Sequence, residues 1–139
     1  MPAELFVDTS AWFALANRRI AGSQRVADAF RERLGQGARP VTTNLVVAET
    51  HALLLCRAGR RPALEFVRQV RRTPMVVVTS SPELEERAWR DWIERFDDQD
   101  FSFTDAVSFA VMASRGIREA LALDRHFAAA RFVVVPGGS

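Results

Sequence analysis

Lysine is absent from this chain, and all 19 basic residues are arginine. A receiver-like phosphoacceptor module needs a lysine beside its acids to hold the phosphoryl group, so this absence counts against that class. A single cysteine, Cys56, excludes an internal disulfide and any multi-cysteine metal site, and it fits a reducing compartment. Only two histidines occur, His51 and His126, and neither has a matching partner for nucleophilic catalysis. No apolar run approaches the roughly 20 residues that a membrane-spanning helix needs. Met1-Pro2-Ala3-Glu4 brings no basic flank to the short apolar run after it, so no signal peptide is expected and the expected location is cytoplasmic.

What is present is ordinary globular composition, with 48% apolar and 26% charged residues over 139 positions, enough for one domain spanning residues 1–139. The net charge of +2 hides an uneven distribution. Residues 1–72 carry 12 Arg and 6 acids, whereas residues 73–139 carry 7 Arg and 11 acids. Arginine grips phosphate through paired hydrogen bonds. The clusters Arg18-Arg19, Arg57/Arg60-Arg61 and Arg68/Arg71-Arg72 are therefore either solvated helix faces or a phosphate-facing surface.

Short apolar segments alternate with helical ones. Leu5–Val7, Pro40–Thr43, Met75–Val78, Ala120–Leu123 and Phe132–Val135 read as strands. Hydroxyl and amide residues mark helix starts at Thr9-Ser10, Ser23, Asn44 and Ser80-Ser81-Pro82. After the acidic loop Asp97-Asp98-Gln99-Asp100, the run from Ala106 to Ala113 is apolar nearly all round and predicts a buried helix ending at Gly116. Fully apolar strands alternating with helices imply an α/β fold: three layers, with about four to five short parallel strands between helices.

Four acids sit in apolar settings: Asp8 after Leu5–Val7, Glu49 in a long helix, Asp105 at the mouth of the buried helix, and Asp124 after Ala120–Leu123. Asp8 and Asp124 should emerge beyond the carboxyl ends of strands, where open parallel sheets bind ligands. Each also has a purely local use. Asp8 and Asp124 suit helix caps, and Ser102-x-x-Asp105 resembles a capping box. Glu49 is expected to share a helix face with Leu45, Ala52, Leu53 and Cys56 and to point into the core without a counter-charge. A lone buried carboxylate must be paired, protonated or bound to a metal.

Two carboxylates ~4 Å apart repel by roughly 4 kcal/mol at an effective dielectric near 20. Four together call for a cation. Hard oxygen donors select Mg²⁺ or Mn²⁺ over zinc. Such an ion activates water against a phosphodiester. Thr9, Ser10, Asn44 and Thr104 are placed to orient carboxylates or water, and one of Asp97, Asp98 and Asp100 is a candidate outer ligand. His126 follows Asp124 closely and is either a satisfied or exposed histidine, the reading favoured, or a group that touches substrate. His51 should turn away from Glu49. Trp89, Trp92 and Phe96 recur at helical spacing, as core or dimer surface.

The succession Val7-Asp8-Thr9-Ser10, Glu49 in a helix, Phe103-Thr104-Asp105-Ala106 and Leu123-Asp124-Arg125-His126-Phe127 resembles a PIN domain. Within that family it is most similar to the compact VapC-type ribonuclease toxins. The resemblance implies a Mg²⁺- or Mn²⁺-dependent endoribonuclease with Asp8, Glu49, Asp105 and Asp124 as its acids and Ser10 and Thr104 as its hydroxyls. It also implies a homodimer silenced by a small antitoxin protein. The alternative is a non-cleaving acidic-pocket module that binds RNA, a protein partner or a phosphorylated ligand.

Overall fold

Hydrophobic strands of three to five residues are too short to be stable alone, and here five of them lie side by side in one all-parallel sheet. In the computed structural model, which describes residues 3–137, these are β1 (Glu4–Val7), β2 (Arg39–Thr43), β3 (Val76–Val78), β4 (Glu119–Leu121) and β5 (Val133–Val135). Met1-Pro2 and Gly138-Ser139 lie outside the described residues. The order across the sheet is β3-β2-β1-β4-β5. The chain builds outward from β1 through β2 to β3, then returns to add β4 and β5 on the other side. The point where the direction reverses lies between β1 and β4, and open α/β sheets bind ligands at such points.

The crossovers are helical: α1 (Thr9–Ala16), α2 (Ser23–Gly35), α3 (Asn44–Arg57), α4 (Arg60–Arg72), α5 (Pro82–Ala88), α6 (Phe103–Arg115) and α7 (His126–Ala129). A π-helical turn, Trp89–Glu94, extends α5. Helices α1 to α4 pack among themselves, as do α5 to α7. Right-handed crossovers place these two groups on opposite faces of the sheet, which is the expected three-layer arrangement.

Each face has its own aromatic cluster. Trp12 sits 5.9 Å from Phe30 and 5.8 Å from Phe66, joining α1, α2 and α4. Across the sheet, Phe109 on α6 lies 4.9 Å from both Phe101 and Phe127 and 5.7 Å from Phe132. Trp92 and Phe96 join this second cluster, while Trp89 stays half exposed at 50%. Every residue of α6 from Asp105 to Met112 is buried, as its all-round apolarity requires. The helix stops at Gly116, whose positive φ of 71° suits glycine.

Several element ends differ from the sequence expectation. The N-cap of α3 is Thr43, whose hydroxyl accepts from Val46 N–H, so Asn44 lies inside the helix. Gly22 rather than Ser23 precedes α2, and the Ser23 hydroxyl instead donates to Ala14 O at 2.7 Å. β4 ends at Leu121, so Ala122 and Leu123 lie between the strand and Asp124.

Phe109 is fully buried and lies one turn beyond Asp105, so its ring supports both α6 and the α7 segment that follows Asp124. Truncating a buried aromatic costs about 3–5 kcal/mol. Phe109→Ala should lower stability by that amount, read from the denaturant midpoint at unchanged slope.

Candidate metal centre

The β1–β4 junction gathers the acids. Asp8 follows β1 directly, and its N–H continues the strand pairing by donating to Leu121 O at 3.1 Å. Its side chain caps α1: Oδ2 accepts from Ser10 N–H at 3.3 Å and from the Ser10 hydroxyl at 2.9 Å. That same hydroxyl oxygen accepts from Leu123 N–H at 2.9 Å. Ser10 thus ties the acid of β1 to the segment that carries Asp124. Behind them, the buried Thr42 hydroxyl donates to Val7 O at 2.9 Å, fixing the strand just before Asp8.

Asp105 arrives from the other face, at the third position of α6. The capping box is formed, with Asp105 N–H donating to Ser102 Oγ at 3.0 Å and Ser102 N–H donating to Asp105 Oδ2 at 3.2 Å. The same Oδ2 is 2.9 Å from His126 Nδ1. Asp124 Oδ1 accepts from His126 N–H at 2.9 Å, which starts α7. His126 therefore links two acids, one through its backbone and one through its ring. Phe101 meets that ring edge-on at 5.7 Å and limits its swing.

The electrostatics are strained. Asp8 is 2% exposed and Asp105 7% exposed, and among the described residues no arginine pairs with Asp8, Asp105 or Asp124. Burial, followed by the charge of Asp124, pushes the Asp8 carboxyl from 3.8 up to about 8; the Asp105 charge adds to this and the Ser10 bond opposes it. Burial raises Asp105 as well, and so does Asp124, whereas the Ser102 N–H and His126 pull it down.

One ligand atom each from Asp105, Asp124 and His126 lie within 4.8 Å of one another. Asp8 stands outside that trio but close enough for the charges to interact. A partly buried set of carboxylate oxygens with one imidazole and no paired arginine among the described residues fits a divalent cation. This acidic group can hold one.

Glu49 corrects the sequence expectation. The core-facing residues of α3 are Val46, Thr50 and Leu54, whereas Glu49, Ala52 and Cys56 are exposed and Leu45 and Leu53 half-buried. The glutamate lies on an outward flank, and it is not part of the trio. Asn44 Oδ1 accepts from Ser80 N–H at 2.8 Å, so it anchors the segment after β3 instead of a carboxylate. Thr9 is buried beside Asp8 with its hydroxyl unpartnered, and Thr104 is half-buried beside Asp105. Asp97, Asp98 and Asp100 are exposed in the loop before α6. His126, weighed in the sequence as a histidine beside Asp124, lies with Asp105 and Asp124 in the trio that could hold a metal.

A family model for the PIN domain matches residues 5–133. The chain belongs to the PIN domain family. It is 44% identical over 133 residues to the 23S rRNA-specific endonuclease VapC20 of Mycobacterium tuberculosis, strains CDC 1551 and H37Rv, covering 94% of this chain and 97% of the relative. The crystal structure of Mycobacterium tuberculosis VapC20, described as a sarcin-ricin loop cleaving toxin, superposes with a TM-score of 0.81 at 39% identity, over 93% of this chain and 96% of that one. VapBC2 from Rickettsia felis, bound to a promoter DNA fragment, matches with a TM-score of 0.68 at 9% identity over 94% and 96% of the two chains, a likeness of fold. Among the described residues, no helix is long and apolar enough to cross a membrane.

The raised acids make stability depend on pH with a definite sign. A carboxyl whose folded value lies above its unfolded one stabilises the fold while protonated and loses that contribution as it ionises. For Asp8 the window runs from about pH 4 to about pH 8. In chelator, Tm should fall across this window. Asp8→Asn should flatten the fall and raise stability at pH 8 by an amount on the order of a few kcal/mol.

Proposed function

We propose that this PIN domain is a divalent-metal-dependent endoribonuclease, the toxin of a toxin–antitoxin pair, and that the chain works as one nuclease unit over residues 1–139. The observation that carries this reading is the convergence of Asp105, Asp124 and His126 within 4.8 Å, beside a buried Asp8, with no arginine paired to the acids. The identity to VapC20 over nearly the whole length supports 23S ribosomal RNA, at its sarcin-ricin loop, as the substrate.

Asp8, Asp105 and Asp124 would hold Mg²⁺ or Mn²⁺, with the trio's His126 fixing the Asp105 oxygen. When bound, the cation supplies neutralisation of the phosphate and a lowered pKa for the attacking water. Ser10 orients Asp8 through its hydroxyl and holds the β4 exit against it. Ser102 turns Asp105 through the capping box. Glu49, exposed on the second turn of α3, would act through an intervening water on the substrate side. Thr104, half-buried next to Asp105, would contact water at the site, and Thr9, buried next to Asp8, would support that acid from behind. Asp98 and Asp100 are offered as outer contacts only. The partners are RNA, a small antitoxin protein and a second copy of the chain in a homodimer, in the cytoplasm.

Purified protein incubated with ribosomal RNA, transfer RNA and messenger RNA should cut ribosomal RNA in Mg²⁺ or Mn²⁺, and chelator should stop it. Asp8→Asn and Asp105→Asn should each lower the rate by ~10³, the equivalent of about 4 kcal/mol in the transition state. Glu49→Gln should cost less than either. Ribosomal RNA cleavage that persists in chelator, or in Asp105→Asn, would refute the reading.

A further inference from the structure

The three acids carry more negative charge than one divalent cation cancels, yet an RNA backbone must approach them. Cations therefore have to meet the phosphates on either side of the cleaved one. The segment between α1 and α2 supplies them in a built form. Asn17 to Ile20 is a β-turn closed by Ile20 N–H donating to Asn17 O at 3.1 Å. The Asn17 side chain accepts from Arg19 N–H at 3.1 Å, the usual role of asparagine at the first turn position. Arg18 and Arg19 are the two central residues, both exposed and, among the described residues, neither in an ion pair.

A second turn, Ile20 to Ser23, is closed by Ser23 N–H donating to Ile20 O at 3.0 Å. Its third residue, Gly22, has φ of 85°, and a Cβ there would lie 3.2 Å from Leu123 Cδ2. Gly22 thus seats the loop directly on Leu123. Leu123 is held by Ser10 and is followed by Asp124. Arg125, the next residue, is also exposed. Of the three arginine clusters in the sequence, Arg18-Arg19 is the one the geometry sets at the rim of the acidic site.

We propose that Arg18 and Arg19, on the α1–α2 turn, form a phosphate-gripping arm that, with Arg125, holds the RNA backbone flanking the cleaved bond. The inference rests on the ribonuclease reading and adds the residues that bind its substrate. Its contacts are to phosphate, so losing them weakens binding of all RNA sequences alike.

The test uses the full-length Asp8→Asn protein as a non-cleaving parent. Its affinity is measured for a labelled synthetic sarcin-ricin hairpin and for an unrelated single-stranded RNA across a salt series. Arg18→Ala/Arg19→Ala should weaken both RNAs on the order of ten-fold at low salt and reduce the salt slope on the single strand by about 1.4. Arg18→Lys/Arg19→Lys should keep most of the slope. In the cleaving background the alanine pair should raise KM more than it lowers kcat. Arg87→Ala, an exposed arginine on α5, should move neither. A parent that binds RNA while the alanine pair keeps its affinity and slope overturns the arm alone. A parent that binds no RNA, together with wild-type protein that cuts none, overturns the nuclease reading and the arm with it.

Discussion

Repulsion among Asp8, Asp105 and Asp124 is the constraint that the rest of the molecule accommodates. A pair of carboxylates a few ångströms apart costs roughly 4 kcal/mol at an effective dielectric near 20. The bonds that hold these acids are helix-cap bonds, worth about 1 kcal/mol each. Caps alone cannot offset the repulsion. The remainder comes from the apolar packing on both faces of the sheet, which fixes the strands and α6 wherever the charges happen to fall. Phe109, Phe127 and Phe101 fill the space behind Asp105 and His126, and Phe6, Val7 and Leu121 hold the β1–β4 junction. The core sets the positions, Asp8 and Asp105 take their raised affinities for protons from them, and a cation could relieve the charge.

The local and the convergent uses of these acids are not alternatives. Asp8 does cap α1, Asp105 does complete a capping box, and Asp124 does hold the first N–H of α7. In sequence these uses compete as explanations, because each accounts for its acid alone. In space they cooperate. The cap bond aims each carboxylate at the end of its helix, and the helix ends lie at the carboxyl edge of the sheet, so capping gathers the three groups. The strands themselves were legible because Leu5–Val7 and Val76–Val78 have no polar interruption, and α6 because nothing but a buried position suits its run of apolar residues.

Glu49 and His126 show where the pattern runs out. Helix α3 carries apolar residues on most of its circumference, Leu55 being 48% exposed. Periodicity then names several candidate inward faces, and the true one runs through Val46, Thr50 and Leu54. Only the packing of α1 and α4 against that face decides it. For His126 the nearness to Asp124 was legible and the contact with Asp105 was not. Its ring meets an acid 21 positions earlier, a contact formed between α6 and the β4–α7 segment that no local spacing encodes. The same holds for Thr42, whose hydroxyl fixes the carbonyl of Val7 from the neighbouring strand.

The uneven charge of the chain acquires a meaning from the topology. An enzyme for a polyanion needs negative groups to hold its cation and positive groups to hold its substrate. The two must stand within about 8 Å of useful reach, since physiological salt screens exposed charges beyond that. Positive charge spread over the surface would raise encounter rates but would not register the backbone on the site. The arginine-rich first half supplies β1 and the α1–α2 turn, while the acid-rich second half supplies α6 and the β4–α7 segment. These halves touch where Gly22 rests on Leu123, at the sheet's switch point. A glycine suits this position for its left-handed φ, and a Cβ there would press on the Leu123 side chain at 3.2 Å, so the contact holds arginine and aspartate segments in register. The reversal of strand order thus does more than open a crevice: it brings the two signs of charge to the same edge from opposite ends of the sequence.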